Sequence, residues 1–572
     1  MKTIIKTTFT YCIVLFAFQF CAKESRIDLP VESDLLQADL INQNVYYNEA
    51  TDSFFRYQED PYSVSNFQKA YSILLKQKKE LETKGLNKEQ LDAIDLSATD
   101  YALRLYPKSI KEQSEIETME DIEVSYYPFN YTVINTPQGS TLQYESIEFD
   151  KNPYTEIVKD VYSSAGDYIE SQEISLPVLY VVWPKNKPIP EKYDYTIDYE
   201  VLIPSHVIRT RSENNNDYIK LIEKQAIDLV FNRDKLTTRS LLEVDPDSLY
   251  YRDIAGAFTV YDNIKQANVG LENLQFRFQL GTNIITGYSV SGGNYYLSIE
   301  VPDYSTFSCS FQSSEWKITS SGSTTPIGIY LGTIPDIMGN NPNYNHNLNF
   351  TLTHTSPVLH IHRAVNYLYN GSHDIGVHTL SSPLWIQSSV NSNSNNSGET
   401  HSSSNSDPWI IIYNNNQSDH GVLLNTVFHE LGHVMHHEAC GGFSYYSNAT
   451  KFIQESYATY TGWHGCCRYY NSIGYNSTFY LLAMQYWTPN ISNPEYSPLF
   501  IDLVDTYNQN NSSSSYLKDN ISGVPASVIN QIISSCNNFA ACKSVLESYI
   551  GQYYTSAYYY TYIVGYGIPY NF

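Results

Sequence analysis

Residues 426–442 read TVFHELGHVMHHEACGG, and this stretch decides how the rest of the chain is interpreted. It holds four histidines, although the whole chain of 572 residues has only 14. Apolar residues recur at the spacing of an α-helix through residues 421–437. The pair Gly441-Gly442 then supplies a stop, because glycine adopts the left-handed backbone that ends many helices. The pattern predicts one helix that carries these histidines.

His429 and His433 lie four positions apart on this predicted helix. A helix turns once in 3.6 residues, so the two imidazoles lie on one face, about one turn apart. Both can bind one Zn²⁺ ion at N–Zn distances of ~2.0–2.1 Å. Glu430 is rotated by about 100° from His429 and can reach a water on the open side of the ion. This is the HExxH arrangement, in which the metal acidifies a water and the glutamate accepts its proton.

A third ligand is required, because HExxH also arises by chance in a chain of this length. Residues 448–463, NATKFIQESYATYTGW, predict a second helix with Asn448 or Thr450 as its cap. Glu455 lies on this helix, and small residues on the same face would let the two helices pack closely. Glu455 would then point at the metal. Two histidines and one glutamate leave the fourth position for water, as in catalytic zinc sites.

HELGH followed by a glutamate on a later helix resembles the gluzincin metallopeptidases, and its glycine is similar to that of enhancin and mucin-degrading peptidases. The resemblance implies His429, His433 and Glu455 as zinc ligands. Glu430 is then the general base for hydrolysis of peptide bonds in a protein or peptide substrate. The chain departs from the thermolysin-like pattern at Thr459, where that pattern has an aspartate that orients a zinc-bound histidine. The order of regions also resembles zinc-peptidase lipoproteins of Gram-negative bacteria.

Other histidines offer weaker alternatives. His437 continues the stripe but lies a further turn along the helix, past the reach of one ion. His436 and Glu438 are expected at the surface, and His436 stands where a metzincin would have glycine. In LHIHR, residues 359–363, two histidines are expected on one face of a strand, with no third ligand in view.

The residue that stabilises the oxyanion stays open among His464, Tyr457 and Tyr460, and each of these also fits a purely structural role. Three cysteines flank the two predicted metal helices: Cys440, Cys466 and Cys467. In an exported chain we expect Cys440 to pair with Cys466 or Cys467, and Cys536 with Cys542.

The N-terminal residues MKTIIKTTFTYCIVLFAFQFC predict a secretory signal peptide over residues 1–21. Lys2 and Lys6 form a positive region, and the apolar run that follows is too short to span a bilayer. Cys21 resembles the lipidated cysteine of bacterial lipoproteins, which implies an outer-membrane lipid anchor. We therefore expect an exported protein, either secreted or on the cell surface, without a transmembrane span.

The formal net charge is −25, with 60 acidic residues against 35 Lys and Arg. This balance argues against nucleic acid as a partner, because phosphate binding needs clustered positive charge. Helical spacing over residues 64–106 and strand patterns at 178–184 and 195–204 predict an α+β N-terminal region. The alternation of turns and strands over 255–325 resembles the small β-sandwich of carboxypeptidase regulatory-like domains.

These patterns together predict an α+β multidomain chain whose catalytic domain is mainly helical and zincin-like, with a short sheet. We expect residues 388–406, rich in Ser and Asn, to form a mobile loop in that domain. WIIIYNN, residues 409–415, is expected to be an edge strand that aligns an extended substrate. The expected divisions are a signal peptide (1–21), an α+β domain (22–250), a β-sandwich (255–325), the metallopeptidase domain (326–490) and a helical subdomain (491–572).

A second interpretation stays open, in which the chain is a non-enzymatic surface adhesion or binding protein. The N-terminal regions would then be its binding modules, and the metal site would be vestigial or structural. Replacing Glu430 by Gln separates the two, since an enzyme should keep its zinc and lose peptide cleavage.

Overall fold

A computed structural model gives the fold of the chain. It describes residues 45–48, 53–76, 94–135, 141–142, 152–162, 168–204, 216–231, 251–252, 254–297, 301–302, 305–320, 323–333, 346–352, 357–371, 383–389, 398–403, 406–413, 419–442, 451–475, 499–505, 522–535, 544–545 and 548. The predicted signal peptide, Cys21, Cys536 and Cys542 lie outside these residues. No helix within them is both long and apolar enough to cross a membrane.

The helices are α1 (Val64–Lys76), α2 (Ile110–Glu117), α3 (Asn216–Phe231), α4 (Pro357–Gly371), α5 (His420–Ala439), α6 (Lys451–Ser472), α7 (Leu499–Val504) and α8 (Ala526–Ser535). The strands are β1 (Val45–Asn48), β2 (Ser53–Tyr57), β3 (Asp100–Leu105), β4 (Glu123–Ser125), β5 (Tyr131–Asn135), β6 (Thr141–Leu142), β7 (Thr155–Tyr162), β8 (Tyr168–Ser175), β9 (Leu179–Pro184), β10 (Tyr195–Val201), β11 (Tyr251–Arg252), β12 (Ile254–Asp262), β13 (Ala267–Gly270), β14 (Gln275–Leu280), β15 (Asn283–Tyr288), β16 (Asn294–Tyr296), β17 (Val301–Pro302), β18 (Thr306–Ser310), β19 (Trp316–Ser320), β20 (Gly328–Thr333), β21 (His346–Leu352), β22 (Leu384–Ser389), β23 (Gly398–Ser403) and β24 (Ser406–Tyr413). This mixture of helices and several sheets confirms the predicted α+β multidomain class.

The N-terminal region is built on an antiparallel sheet of order β10-β3-β9-β4. Side chains of β9 alternate across it, so Tyr180 and Val182 join the core under α1 and α3, whereas Val181 and Trp183 join a second core on the other face. This is why its sequence is a continuous apolar run. The prediction of helical structure over residues 64–106 is wrong over residues 100–105, which form β3, while residues 77–93 lie outside the described ranges.

Two sheets face each other in the middle of the chain, with orders β13-β12-β16 and β15-β14-β18-β20-β6. Aromatic rings fill the space between them; the ring of Phe258 in β12 lies 6.0 Å from that of Phe276 in β14 and 5.9 Å from that of Phe307 in β18. Strands β20 and β21 add to these sheets from beyond residue 325. One buried apolar cluster runs from this pair of sheets into α4 to α8, so the sandwich and the helices share a core.

A mixed sheet of order β19-β22-β24-β23-β7-β8 lies beside α5. Strands β19, β22 and β24 are parallel, and β23 is antiparallel to β24. The predicted loop over residues 388–406 is wrong over residues 398–403, which form β23, while residues 390–397 lie outside the described ranges. The prediction that WIIIYNN is an edge strand is also wrong, because β24 has β22 on one side and β23 on the other. Ile410 and Ile412 of β24 are completely buried, as an interior strand requires.

Candidate metal centre

Helix α5 begins and ends where its sequence predicts. Asp419 caps it, since its carboxylate accepts hydrogen bonds from the backbone N–H groups of Gly421 and Val422. At the other end Gly441 and Gly442 adopt positive φ angles of 79° and 105°. Their N–H groups bond to carbonyls of the last helical turn, which fixes the end of the helix.

Helix α6 packs against α5 through glycines that leave no room for a side chain. A Cβ placed on Gly432 would lie 2.8 Å from Cα of Ala458, and one on Gly465 would lie 2.6 Å from the ring of Phe428. Such contacts bring the two backbones unusually close. The approach of α6 to α5 brings Glu455 to the histidine face of α5.

The structure brings together the three side chains that the sequence indicates as ligands. Nε2 of His429 lies 3.3 Å from Oε2 of Glu455, and Nε2 of His433 lies 3.5 Å from the same oxygen. The two imidazole rings are 5.0 Å apart at an angle of 83°. The side chains of His433 and Glu455 are buried, while His429 is 17% exposed, so the centre opens to solvent on the His429 side.

The electrostatics of Glu455 suit a cation. Although burial opposes its charge, the positive potential and hydrogen bonding of His433 and His429 hold the pKa of Glu455 below its ordinary value. Its Oε2 atom is buried, and both imidazole Nε2 atoms face it. Two imidazole nitrogens and this oxygen form the 2-His, 1-carboxylate donor set that fits Zn²⁺, with His429, His433 and Glu455 as the residues that would hold it.

Glu430 lies beside this centre and contacts β23. Its side chain is buried, and the Thr400 hydroxyl lies 2.7 Å from its Oε2 atom. Gly398 faces the same side chain, since a Cβ there would lie 2.8 Å from Cγ of Glu430. Neither residue is predicted from the sequence, because both lie in the Ser/Asn-rich stretch. A local sign of ordered structure there is the segment GETH, residues 398–401, which interrupts the run of Ser and Asn.

His436, His437 and Thr459 are not part of this centre. His437 is buried, and its Nδ1 atom lies 3.7 Å from Oε1 of Glu438. The expectation that His436 lies at the surface is wrong; it is completely buried, and burial together with His433 and His437 lowers its pKa to about 3. Thr459 is buried too, and its hydroxyl makes no hydrogen bond within the described part of the chain, so it does not replace the missing aspartate.

The three residues left open for oxyanion stabilisation form an aromatic group on α6. His464 stacks on Tyr460 at 5.3 Å between ring centroids, and Tyr460 lies 6.1 Å from Tyr457. The Tyr457 hydroxyl donates a hydrogen bond to Asn530 of α8. Tyr457 and Tyr460 are buried almost completely, which favours their packing role.

A second cluster, of two histidines and a carboxylate, is not predicted from the sequence. Asp262, His360 and His420 place one ligand atom each within 4.8 Å of one another. The segment LHIHR was predicted to be a strand, which is wrong, because it lies in helix α4. The helical turn separates its histidines, and His362 contacts the backbone oxygen of Glu272 instead.

Arg363 hydrogen-bonds to two of the three candidate ligands in this second cluster. Its guanidinium donates to Oδ2 of Asp262 at 2.6 Å and to Nδ1 of His360 at 2.7 Å. Nδ1 of His420 accepts a hydrogen bond from the backbone of Asn263 at 3.1 Å. Because each Nδ1 accepts, each neutral ring carries its proton on Nε2 and has no lone pair left for a metal. The cluster is a buried ion-pair network.

The predicted disulfide between the metal helices does not form. Cys440, Cys466 and Cys467 form no disulfide with one another. The Cys440 thiol lies 3.6 Å from the carbonyl of Ile533, and the Cys466 thiol lies 3.8 Å from that of Gly421. No disulfide between these cysteines therefore joins helices α5 and α6.

No protein-family model, curated protein or solved structure matches this chain.

Proposed function

We propose that this protein is a zinc-dependent metallopeptidase of the gluzincin type, which hydrolyses peptide bonds in a protein or peptide substrate. The observation that carries the proposal is the convergence of His429, His433 and Glu455 from two helices. A second carboxylate, that of Glu430, follows directly after the first of these histidines in the sequence. A structural zinc site would use a fourth protein ligand. None is found among the described residues, which favours catalysis.

When bound, Zn²⁺ supplies a Lewis acid that polarises the scissile carbonyl and lowers the pKa of the attacking water. Glu430 accepts the proton of that water and later passes it to the leaving amine. Glu455 and His433 are buried and hold the centre in place, while the exposed side of His429 faces the solvent from which substrate enters.

Strand β23 lies between β24 and β7 in the sheet, and β7 meets it at Ser402. Gly398 and Thr400 of β23 contact Glu430, so this strand lies next to the proposed general base.

The first test is the zinc content and peptide turnover of the purified chain. We expect one zinc per molecule and cleavage of a quenched fluorescent peptide library, both lost with a chelator. Glu430→Gln should keep the zinc and lose turnover by about a thousandfold or more. Glu438→Gln on the same helix is the matched control and should change neither. A chain that binds zinc but cleaves no peptide would favour the alternative of a surface adhesion or binding protein.

We also propose that the chain is exported and held at the cell surface or outer membrane through lipidated Cys21. The positive and apolar residues that precede Cys21 support this proposal. Mass spectrometry of the mature protein tests it: an N-terminal diacylated Cys21 is expected, and Cys21→Ser should release the protein from the membrane fraction. An intact Met1 at the N-terminus of the mature protein would refute export.

A further inference from the structure

We infer that Thr400 is a positioning residue for Glu430, and that Gly398 is required at its position to leave room for the same carboxylate. The inference rests on the proposed function, in which Glu430 transfers the proton. It assigns to β23 the task of orienting the general base.

The Thr400 hydroxyl contacts Glu430 twice. Its oxygen lies 2.7 Å from Oε2 of the carboxylate and 3.0 Å from the backbone oxygen of the same residue. The hydroxyl has one proton, and an ionised carboxylate is the stronger acceptor. Thr400 is 3% exposed, so little water competes for this bond. The bond ties Oε2 to the strand.

Gly398 contacts the same carboxylate from the neighbouring position on the strand face. Residues 398 and 400 lie two apart on β23, so they share one face of the sheet. A Cβ at position 398 would lie 2.9 Å from Oε1 of Glu430 and 3.0 Å from Cγ2 of Thr426. Any side chain there would push the carboxylate away from its present place.

This strand is held independently of helix α5. Gly398 pairs with Ile412 and Thr400 with Ile410, and both isoleucines are completely buried. The histidine ligands are positioned by α5, whereas the Glu430 carboxylate is positioned from the sheet. A long carboxylate side chain fixed from two elements is preorganised, and such orientation speeds proton transfer without adding to substrate binding.

The test compares Thr400→Val, which removes the hydroxyl and keeps the shape, with Thr400→Ser, which keeps the hydroxyl. We expect Thr400→Val to lower kcat by about ten- to a hundredfold on a quenched fluorescent peptide that the wild type cleaves. KM, zinc content and melting temperature should stay unchanged, and Thr400→Ser should retain most of the rate. The matched control is Thr319→Val in β19 of the same sheet, a buried threonine whose hydroxyl makes no hydrogen bond with any described residue. It should leave kcat unchanged.

Crystal structures of the zinc-loaded wild type and Thr400→Val give a readout that does not depend on turnover. We expect the Glu430 carboxylate to rotate away from β23 in the variant. The inference is overturned if the carboxylate stays in place or if kcat is unchanged while the wild type is active, and the proposed function then still stands. A wild type that binds zinc and cleaves nothing overturns the proposed function. The crystal comparison still decides whether Thr400 places the carboxylate.

Discussion

Helix α5 carries histidines of two clusters that look alike by composition and distance. His429 and His433 meet Glu455, while His420 at the start of the same helix meets His360 and Asp262. In the first cluster the imidazole Nε2 atoms converge on one buried carboxylate oxygen. In the second, donors from an arginine and the backbone already fill the acceptor atoms. Residue types and distances are therefore not enough to indicate a metal site, and the direction of each hydrogen bond decides.

The largest expected effect is on zinc content, which should depend on the first cluster and not on the second. Glu455→Gln should reduce the zinc content from one per molecule to none, because a neutral amide is a poor zinc ligand, and turnover should fall by more than a thousandfold. His420→Asn is the comparison in the second cluster. It should leave zinc content and turnover unchanged, as measured by elemental analysis and peptide cleavage. Loss of zinc in His420→Asn would break the distinction between the clusters.

The next effect concerns stability. Arg363→Met leaves the buried carboxylate of Asp262 without its partner, and we expect unfolding to become easier by about 3–5 kcal/mol. The double variant Asp262→Asn/Arg363→Met should recover part of this loss, since it removes the unpaired charge. Urea denaturation measures both. If the single variant is as stable as the wild type, the guanidinium does not hold the second cluster together.

A smaller effect is expected from pH. Burial, reinforced by the charge of Arg363 and by His420, holds the pKa of His360 well below its usual value. Below pH ~6.5 the unfolded chain binds a proton at His360 that the folded chain does not, so stability falls on acidification by up to ~1.4 kcal/mol per pH unit. Although burial opposes the charge of Asp262, Arg363 holds the pKa of this carboxyl below its ordinary value, so it stays ionised down to pH 5.

The comparison is His360→Asn against the wild type between pH 7 and 5, by urea denaturation at each pH. The variant should lose less stability than the wild type as the pH falls. The difference between their slopes of unfolding free energy against pH should approach that of one bound proton, ~1.4 kcal/mol per pH unit. Equal pH slopes would show that His360 is protonated in the folded chain, against the donor role of Arg363.

The smallest expected effect concerns the thiols around α5 and α6. A reducing agent should leave the zinc content unchanged, because no disulfide joins Cys440 to Cys466 or Cys467. Peptide mapping of the chain, alkylated without prior reduction, should show no link between Cys440 and Cys466 or Cys467. A linked pair of these peptides would mean that a disulfide joins the two helices.

Local patterns in the sequence were enough for several features. The apolar spacing around HELGH and the Gly441-Gly442 stop predicted α5 within a few residues of its bounds. Glu455 on the following helix was also found from spacing, and its carboxylate lies beside both histidines. These features depend on helix periodicity and capping, which act over a few residues and are readable along the chain.

Other features depend on residues that are distant in sequence and were decided only by the tertiary structure. Thr400 reaches Glu430 because β23 pairs with β24 beside α5, and nothing local in a Ser/Asn-rich stretch predicts that pairing. LHIHR was assigned to a strand from its short apolar run, but packing of α4 into the shared core made it a helix. Arg363 reaches Asp262 across 101 positions of sequence. The sequence thus indicated which residues could hold a metal, whereas long-range packing decided which candidate cluster is bound by Arg363 and which strand contacts Glu430.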